Sequence, residues 1–234
     1  MRLDKYICDC TGLTRSQAGK LIRQRAIVVN GAIAKQAAMK LSAGDEVQLD
    51  GEVISPIGLR YLVMNKPEGY VCGLDDPHHA AVFTLLDEPA VEKIHSVGRL
   101  DVDTTGLLLL TDDGKWSHRI SSPRHHIAKT YRVWTADAIS EDAAARFAEG
   151  VVLRDEPTAT KPAQLELVGS HEALLTIHEG RYHQVKRMFA ALGNRVERLH
   201  RERIGQLQLP TDLELGEYRP LTDAELAAVF IGND

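Results

Sequence analysis

The sequence predicts an α+β protein in which a large mixed or antiparallel sheet is flanked by helices and preceded by a small N-terminal α/β domain. Short apolar segments typical of strands recur along the chain without the regular helix alternation of a doubly wound sheet. Two of them, 163–168 and 173–178, are separated by a short polar loop, which favours antiparallel pairing. A cluster of turn-forming residues divides the 234-residue chain into domains 1–58 and 59–234.

The N-terminal segment predicts two short helices followed by strands. The first helix carries apolar residues at helical spacing, namely Leu3, Tyr6, Ile7 and Cys10. Thr14 opens the second helix, because Gln17 three residues later completes a capping box. Asn30-Gly31 between apolar pairs is typical of a two-residue hairpin. Residues 43–54 supply a further turn and strand before the linker formed by Ser55, Pro56 and Gly58.

The C-terminal segment predicts six strands and three helices. We expect the strands at 60–65, 107–111, 130–135, 163–168, 173–178 and 195–199. The first helix, 140–149, ends at Gly150 in a left-handed cap, and the second, 183–192, ends at Gly193-Asn194. Thr222 begins the last helix with Glu225 as its capping partner.

The composition excludes several protein classes. With 44% hydrophobic and 26% charged residues the chain is an ordinary globular sequence. Its most apolar stretch, GLLLLT, is far shorter than the roughly 20 residues that span a bilayer. The start, MRLDKYICDC, lacks the apolar core of a signal peptide. Three cysteines, at 8, 10 and 72, cannot form a disulfide framework. We therefore expect a cytoplasmic protein that does not contact membranes.

Positive charge is concentrated in two regions, although the net charge is −5. Residues 1–40 hold eight basic and two acidic residues, and residues 181–203 hold seven basic and two acidic residues. Segregated positive regions attract phosphate even on an acidic protein, so a nucleic-acid partner is compatible with this charge. Each cluster taken alone is equally compatible with a solvated surface.

Cofactor and metal motifs are missing from the sequence. There is no glycine-rich phosphate loop, no dinucleotide fingerprint and no HExxH pair. The adjacent pairs His78-His79 and His125-His126 have no cysteine or carboxylate at ligand spacing beside them, which disfavours a metal site. We therefore expect neither a cofactor nor a metal.

One candidate for chemistry is the segment GRLDVDTTGLLLLTDDG at 98–114. A compact polar loop between Gly98 and Gly106 leads into a wholly apolar strand, and such a strand is typically buried on both faces. The loop is therefore held on a rigid element, where functional residues are often found. An alternative interpretation is that Asp101 or Asp103 only caps the turn.

A second candidate is EGRYHQVKRMF at 179–189. Lys186 and Arg187 fall in the first turns of the predicted helix, where the helix dipole disfavours cations unless an anion compensates. A carboxylate of the protein or a phosphate of a ligand could be this anion. Alternatively, Lys186 and Arg187 are simply exposed to solvent.

Four motifs follow one another in a recognisable order: MNKPEG at 64–69, GRLDVDTTGLLLLTDDG at 98–114, KTYRV at 129–133 and GRYHQVKRMF at 180–189. With RERIGQLQL at 201–209 and GEYRPLT at 216–222, they resemble the RNA pseudouridine synthases, in the branch that modifies ribosomal RNA. The resemblance covers about residues 59–230. The N-terminal segment resembles the S4-like RNA-binding domain which that branch carries.

The resemblance implies a substrate and a reaction. It implies that the chain isomerises a uridine of ribosomal RNA to pseudouridine without a cofactor. The segment DDGKWSHRISSPRHH at 112–126 resembles the members that act on small-subunit (16S) RNA, free or in an assembling particle. We expect a monomer. A large-subunit RNA synthase, a non-catalytic RNA-binding assembly factor and a metal-dependent RNA hydrolase are the alternatives.

The resemblance also implies roles for individual residues. Asp101 matches the essential aspartate, expected here as the nucleophile, although routes through the uracil ring or through deprotonation of the sugar stay open. Tyr131 matches the tyrosine that stacks on uracil, and Lys186 aligns with the basic residue, Arg in many relatives, that pairs with the aspartate. Active-site support is expected from Arg99, Leu199 and Arg187, with Leu199 as the apolar floor and Arg187 as the second candidate for the ion pair.

Basic side chains are expected to hold RNA phosphates. The residues predicted for this role are Arg2, Lys5, Arg15, Lys20, Arg23, Lys35, Arg181 and Arg201.

Overall fold

A computed structural model of the chain describes residues 1–231. The contacts divide it into two units. The first comprises Met1–Leu59 together with Asp87–Lys93, and the second comprises Arg60–Leu86 together with the chain from Ile94 onward. A short piece of the C-terminal segment therefore belongs with the N-terminal unit, which a single sequence break does not predict.

The first unit packs two helices on a four-stranded sheet. The helices are α1 (Leu3–Thr11) and α2 (Arg15–Arg23), and the strands are β1 (Ile27–Val29), β2 (Ala32–Ile33), β3 (Val47–Leu49) and β4 (Glu52–Val53). The strand order is β2-β1-β3-β4, with every pair antiparallel. The predicted capping box at Thr14 and Gln17 is confirmed. The predicted hairpin is also confirmed, because Asn30 and Gly31 both have positive φ, as a type I′ turn requires.

The second unit is built on a large sheet. Its strands are β5 (Tyr61–Lys66), β6 (His95–Ser96), β7 (Thr104–Thr111), β8 (Lys129–Thr135), β9 (Gln164–Gly169), β10 (Glu172–Ile177), β11 (Val196–Ile204), β12 (Leu207–Gln208) and β13 (Tyr218–Pro220). Its helices are α3 (Gly114–Ser121), α4 (Ala143–Glu149), α5 (Gln184–Ala191) and α6 (Asp223–Ala228).

This sheet is mixed. Its main path runs β13-β5-β7-β11-β8-β10-β9, while β6 pairs with β7 and β12 with β11. β7 and β11 run parallel, and the other pairs are antiparallel. The predicted α+β class with a mixed sheet flanked by helices is therefore confirmed.

The apolar run in β7 separates the two cores of this unit. Leu107 and Leu109 pack into one hydrophobic cluster, whereas Leu108 and Leu110 pack into the other. All four side chains are fully buried. Because successive side chains of a strand point to opposite faces, a continuous apolar run is what a strand covered on both faces needs.

Several predicted elements differ from the structure. β11 continues to Ile204, beyond the predicted end at 199, because Leu199, Arg201 and Ile204 are buried while the residues between them are half-buried. The helix α3 and the strands β6, β12 and β13 were not predicted. Gly150 has φ 88° and ψ 147°, so it ends α4 outside the left-handed helical region expected there. The predicted capping box of Thr222 and Glu225 is confirmed.

Within residues 1–231, no helix has the length and apolar character needed to cross a bilayer.

Candidate active site

A cleft of about 510 Å³ opens in the second unit. Its lining brings together side chains from four separated parts of the chain: Asp101, Lys129, Tyr131, His183, Leu199 and Arg201. Asp101 comes from the loop before β7, Lys129 and Tyr131 from β8, His183 from the start of α5, and the last two from β11. The two sequence motifs with candidate chemistry therefore meet at one site.

Hydrogen bonds from the Lys66 side chain hold the loop that carries Asp101. The Lys66 side chain is fully buried, and its ammonium donates to the carbonyl oxygens of Thr104 at 2.8 Å, Pro67 at 3.0 Å and Val102 at 3.4 Å. Burial lowers the pKa of Lys66, while nearby anionic groups oppose this shift. Within the loop, the Thr104 amide donates to the Asp101 carbonyl at 3.1 Å. The loop is thus rigid where the carboxylate projects.

Asp101 forms an ion pair with Lys186. The Lys186 ammonium lies 3.0 Å from Asp101 Oδ2 and 2.5 Å from Asp103 Oδ1. Burial alone would lower the pKa of Lys186, but the hydrogen bonds and charges of Asp103 and Asp101 outweigh it and leave this pKa raised. Burial likewise opposes ionisation of Asp103, but Lys186 prevails and holds the pKa of Asp103 below its ordinary value. The site therefore holds two carboxylates around one ammonium.

The start of α5 brings a second nitrogen base to Asp101. His183 is the N-cap of this helix in a left-handed conformation (φ 46°, ψ 36°), and its Nε2 lies 3.5 Å from Asp101 Oδ1. Its ring stacks on Tyr182 at 3.8 Å, and the Tyr182 side chain is largely exposed. Asp101 therefore contacts Lys186 and His183 from the same helix, so its side chain does more than cap a turn.

Arg187 does not share the ion pair with Asp101. Its guanidinium pairs with Glu156 and donates to the Arg154 carbonyl at 2.6 Å. Arg187, the second candidate for the ion pair with Asp101, lies elsewhere in the structure, because adjacent helical residues point in directions about 100° apart. Both cations at the start of α5 therefore have carboxylate partners: Lys186 pairs with Asp101 and Asp103, and Arg187 pairs with Glu156.

Arg181 was predicted to hold RNA phosphate, but the structure gives it an internal role. Its guanidinium contacts Glu156 at 2.6 Å and Glu179 at 3.2 Å, and it donates to the carbonyls of Thr158 and Ala159. Its side chain is only 20% exposed. The donors of Arg181 are thus committed to the protein, and the prediction of a free phosphate ligand is wrong.

Arg201 was also predicted to hold phosphate, and this too is wrong. It is 1% exposed and lies in the wall of the cleft. Its Nε donates to the Leu107 carbonyl at 2.7 Å, and its Nη1 lies 3.4 Å from the Tyr131 hydroxyl. The guanidinium carbon sits 5.9 Å from the centre of the Tyr131 ring. A side chain in this position can act on a group inside the cleft but not on a phosphate at the protein surface.

Tyr131 and Leu199 form apolar surface in the cleft. Tyr131 is 7% and Leu199 6% exposed, and both belong to the larger hydrophobic cluster. Leu199 lies on β11 opposite Thr104 of β7 in the parallel pair. An aromatic ring and a branched aliphatic side chain on adjacent strands provide a surface on which a planar base can stack.

The parallel pair of β7 and β11 depends on Gly106. Its φ is +103°, and a Cβ at this position would lie 2.4 Å from the Arg201 carbonyl oxygen and 2.8 Å from the Arg201 nitrogen. Only glycine fits such a close approach of two backbones. Gly106 therefore sets the spacing between the Asp101 loop and the strand that carries Leu199 and Arg201.

The other predicted residues are exposed. Arg99 lines the cleft next to Asp101. In the first unit all six predicted phosphate ligands are exposed, namely Arg2, Lys5, Arg15, Lys20, Arg23 and Lys35. Arg2 pairs with Asp4 and Lys5 with Asp9, while Arg15, Lys20 and Arg23 belong to α2. Within residues 1–231, no group of three or more His, Cys, Asp or Glu side chains is placed to hold a metal ion.

The sequence interpretation missed several residues of the site. It gave no role to Lys66, Lys129, Glu156 or His183. Lys66 lies in the motif MNKPEG at 64–69, but no neighbouring residue in the sequence indicates that its ammonium is buried. Glu156 meets Arg187 across 31 positions of sequence, so only the fold joins them. For His183 a signal existed, since it is the first residue of the helix predicted over 183–192, and a helix N-terminus is where an anion binds.

Comparison with protein families gives two matches. The RNA pseudouridylate synthase family matches residues 60–191, and the S4 domain matches residues 1–47. Together the two matches cover most of the chain.

Full-length relatives are similar over nearly the whole chain. The ribosomal small subunit pseudouridine synthase A of Vibrio parahaemolyticus is 54% identical over 232 residues, which are 98% of this chain and 100% of the relative. The protein of the same name from Salmonella typhimurium is 55% identical over 230 residues, with the same coverage. A crystal structure of a pseudouridylate synthase matches with a TM-score of 0.71 and 53% identity, covering 98% of this chain and 99% of the other.

Proposed function

The chain belongs to the RNA pseudouridylate synthase family, and from that premise we propose that it converts a uridine of 16S ribosomal RNA to pseudouridine in the small subunit. The full-length relatives named for this activity support the choice of substrate. One observation of this chain carries the proposal: the Asp101 carboxylate, paired with Lys186 at 3.0 Å, lines a cleft beside the Tyr131 ring.

The reaction exchanges one bond of the ribose for another. The bond between uracil N1 and ribose C1′ breaks, the ring turns, and C5 of uracil bonds to C1′. One proton leaves C5 and one binds N1, so the change is an isomerisation with no redox step and no water consumed. A carboxylate suits this chemistry, because it stabilises or captures an electron-deficient sugar carbon, as in retaining glycosidases.

Asp101 supplies that carboxylate. Its side chain is 26% exposed in the cleft, and a bound RNA nucleotide would cover it. An ionised carboxylate in a dry pocket needs a cation beside it. Lys186 provides the cation, and the Lys66 contacts hold the loop so that the carboxylate does not drift away from the sugar.

Tyr131 and Leu199 receive the base. The glycosidic bond of a stacked uridine is out of reach, so the nucleotide must leave its stack at a cost of a few kcal/mol. Stacking on the Tyr131 ring over the Leu199 side chain offsets that cost. Single-stranded or loosely structured RNA is therefore the substrate, either free or in an assembling particle.

The first unit holds the RNA backbone. Its match to the S4 domain and the exposed basic side chains of α2 support this role. Contacts to phosphate position an RNA without reading its sequence. We propose that the protein acts as a monomer, and we place it in the cytoplasm, where the small subunit is assembled.

The decisive experiment replaces Asp101. We expect Asp101→Asn to bind 16S RNA with wild-type affinity and to form no pseudouridine, measured by tritium release from RNA labelled at uracil C5. Asp103→Asn is the matched control on the same loop. It keeps the Asp101–Lys186 pair and should retain measurable turnover.

Mapping pseudouridine in both ribosomal RNAs after incubation with wild-type protein decides among the alternatives. Modification of 23S RNA alone would indicate a large-subunit enzyme. A wild-type protein that forms no pseudouridine, together with an Asp101→Asn variant that still supports subunit assembly, would indicate a non-catalytic assembly factor. RNA cleavage abolished by chelation would indicate a metal-dependent hydrolase.

A further inference from the structure

Arg201 is a buried cation without an anionic partner among the described residues. Its Nε and Nη1 donate to neutral oxygens, the Leu107 carbonyl and the Tyr131 hydroxyl. Its Nη2 is fully buried and has no hydrogen-bond partner within the described chain. Removing a guanidinium from water without pairing it is costly, and each unmade hydrogen bond adds to that cost.

Five of the six half-buried arginines of the second unit are neutralised, whereas the sixth, Arg203, has within the described residues only the Thr130 hydroxyl as its side-chain acceptor. Arg60 pairs with Asp112, Arg132 with Glu172 and Glu202, Arg181 with Glu156 and Glu179, Arg187 with Glu156, and Arg219 with Asp212 and Glu225. The contrast is sharpest for Arg132, which neighbours Tyr131 on β8 and has two carboxylate partners. Arg201 lies opposite Tyr131 on β11 and has none in the described chain.

Lys129 adds a second cation to the same wall of the cleft. It lies two residues before Tyr131 on β8, so the two side chains share a face of the sheet. Its ammonium donates to the Ile127 carbonyl at 3.1 Å and forms no ion pair within the described residues. Burial lowers the pKa of Lys129 to about 8, and repulsion by the Arg201 guanidinium contributes to this shift. The wall therefore has positive charge that the described side chains leave uncompensated.

The burial of Arg201 indicates which part of a bound RNA lies near its guanidinium. Arg201 is 1% exposed and sits against the Tyr131 ring, on which the base stacks in the proposed function. A backbone phosphate stays near the surface, whereas the extruded base enters the pocket. The group that reaches the vicinity of Arg201 is the uracil ring.

We propose that Arg201, with Lys129, stabilises the negative charge that develops on uracil when its bond to ribose breaks. This inference rests on the proposed function. It gives the cleft two opposed electrostatic halves, with a carboxylate at the sugar and unpaired cations at the base.

The electron count places a negative charge on uracil along the two routes in which Asp101 acts on the sugar. When the N1–C1′ bond breaks, its electron pair stays on the ring and spreads over N1 and the ring carbonyl oxygens. At the sugar, the Asp101 carboxylate either bonds to C1′ or takes a proton from C2′, and both routes leave uracil as an anion. That anion must survive the turn of the ring before C5 bonds to C1′. A preorganised cation in a water-poor cavity stabilises such a charge more strongly than water does.

The test measures single-turnover conversion of the target nucleoside in 16S RNA, by liquid chromatography of the digested RNA, which separates the two isomers although they have the same mass. We expect Arg201→Gln to lower the rate at saturating RNA by about 10²-fold, the usual effect of removing one charge-stabilising group. The RNA affinity should be unchanged, and Arg201→Lys should restore part of the rate. Arg132→Gln is the matched control, because it removes a neighbouring arginine whose charge is already neutralised, and it should turn over like wild type.

A second substrate separates charge stabilisation from a structural role. Fluorine at C5 withdraws electrons and makes uracil a more stable anion, so RNA containing 5-fluorouridine depends less on the cations. We expect the rate loss of Arg201→Gln to be at least several-fold smaller with the fluorinated RNA. Circular dichroism and urea unfolding establish that the variant is folded. If it is not, Lys129→Met provides the same comparison, since Lys129 is only half-buried.

A folded Arg201→Gln with the wild-type rate, or with equal rate losses on both substrates, would overturn the inference. So would equal losses on both substrates for Lys129→Met. These outcomes presuppose an active wild-type protein and therefore differ from failure of the proposed function, in which wild-type protein itself modifies neither RNA.

Discussion

The Lys66 ammonium donates to the Thr104 carbonyl across 38 positions of sequence, at 2.8 Å and with no exposure to solvent. This contact joins the end of β5 to the start of β7 at the base of the loop that carries Asp101. A buried lysine is costly, and three carbonyl acceptors compensate it here. Lys66 is therefore a positioning residue, although it does not line the described cleft.

Lys66→Met should lower kcat by about 10- to 100-fold, because a small displacement of a catalytic group has effects of this order. KM should change little, since Lys66 is buried away from RNA. The free energy of unfolding should fall by about 1–3 kcal/mol, because buried carbonyls lose their donor. Steady-state kinetics and urea unfolding measure both effects. Lys115→Met, at an exposed lysine of α3, is the control, and a similar kcat in both variants would contradict the positioning role.

Lys186 and Arg187 are adjacent basic residues with different partners, so their variants should differ. Lys186→Ala should reduce kcat by about 10²-fold or more, because Asp101 loses its cation. Arg187→Ala should keep most of its turnover and instead lose stability, because Glu156 loses one of its two arginines. Tritium release and thermal unfolding measure the two effects. The opposite ranking of turnover would mean that Arg187 supports Asp101 in the RNA complex.

The Glu225–Arg219 pair predicts a stability change at acid pH. The hydrogen bond from Arg219 lowers the pKa of Glu225 from 4.5 to about 2. A carboxyl whose folded pKa lies below its unfolded pKa stabilises the fold above about pH 4.5, and this contribution is lost as the pH falls towards 2. Glu225→Gln should therefore make the free energy of unfolding less dependent on pH below about 4.5.

Urea unfolding between pH 5 and 3 measures this dependence. Arg219→Gln should flatten the same part of the profile, and the double variant should add little, because the two residues form one interaction. A profile in Glu225→Gln as steep as that of wild type would show that other carboxylates dominate acid unfolding.

The exposed cations of α2 predict how RNA binding depends on salt. Replacing Arg15, Lys20 and Arg23 with Gln should weaken binding and reduce the slope of log K against log salt by about 2, at about 0.7 per lost phosphate contact on single-stranded RNA. Filter binding at several salt concentrations measures the slope. Arg154→Gln, at a 94% exposed arginine outside the two basic clusters, should leave the slope unchanged. A triple variant with the wild-type slope would remove α2 from the RNA interface.

Local sequence predicted the elements whose signals are local. The capping boxes at Thr14 and Thr222, the Asn30-Gly31 hairpin and the apolar strand predicted at 107–111 all depend on residues within a few positions of one another. Each has a fixed stereochemical cause, such as a side chain that bonds an unpaired amide or a glycine that tolerates positive φ. Such features are visible in a single sequence.

Long-range features were not visible. The basic cluster at 181–203 predicts phosphate ligands at Arg181 and Arg201, but in the fold Arg181 pairs with Glu156 and Arg201 is buried beside Tyr131. The sequence shows that a residue is charged, but not which face of the sheet its side chain occupies. That face depends on the strands that pair with β11, which the sequence does not show. β11 pairs with both β7 and β8, and only this pairing decides that Arg201 faces the cleft.

The parallel contact of β7 with β11 has a consequence for biosynthesis. Thr104 meets Leu199 only after the chain between them has folded back on itself, so this pairing closes a loop of nearly one hundred residues. Contacts so distant in sequence form late in folding. A nascent chain on the translating ribosome can complete its N-terminal unit and present Asp101 while it still lacks the floor of the pocket. The pocket is therefore complete only when the last quarter of the chain, which contains Lys186, Leu199 and Arg201, has been synthesised.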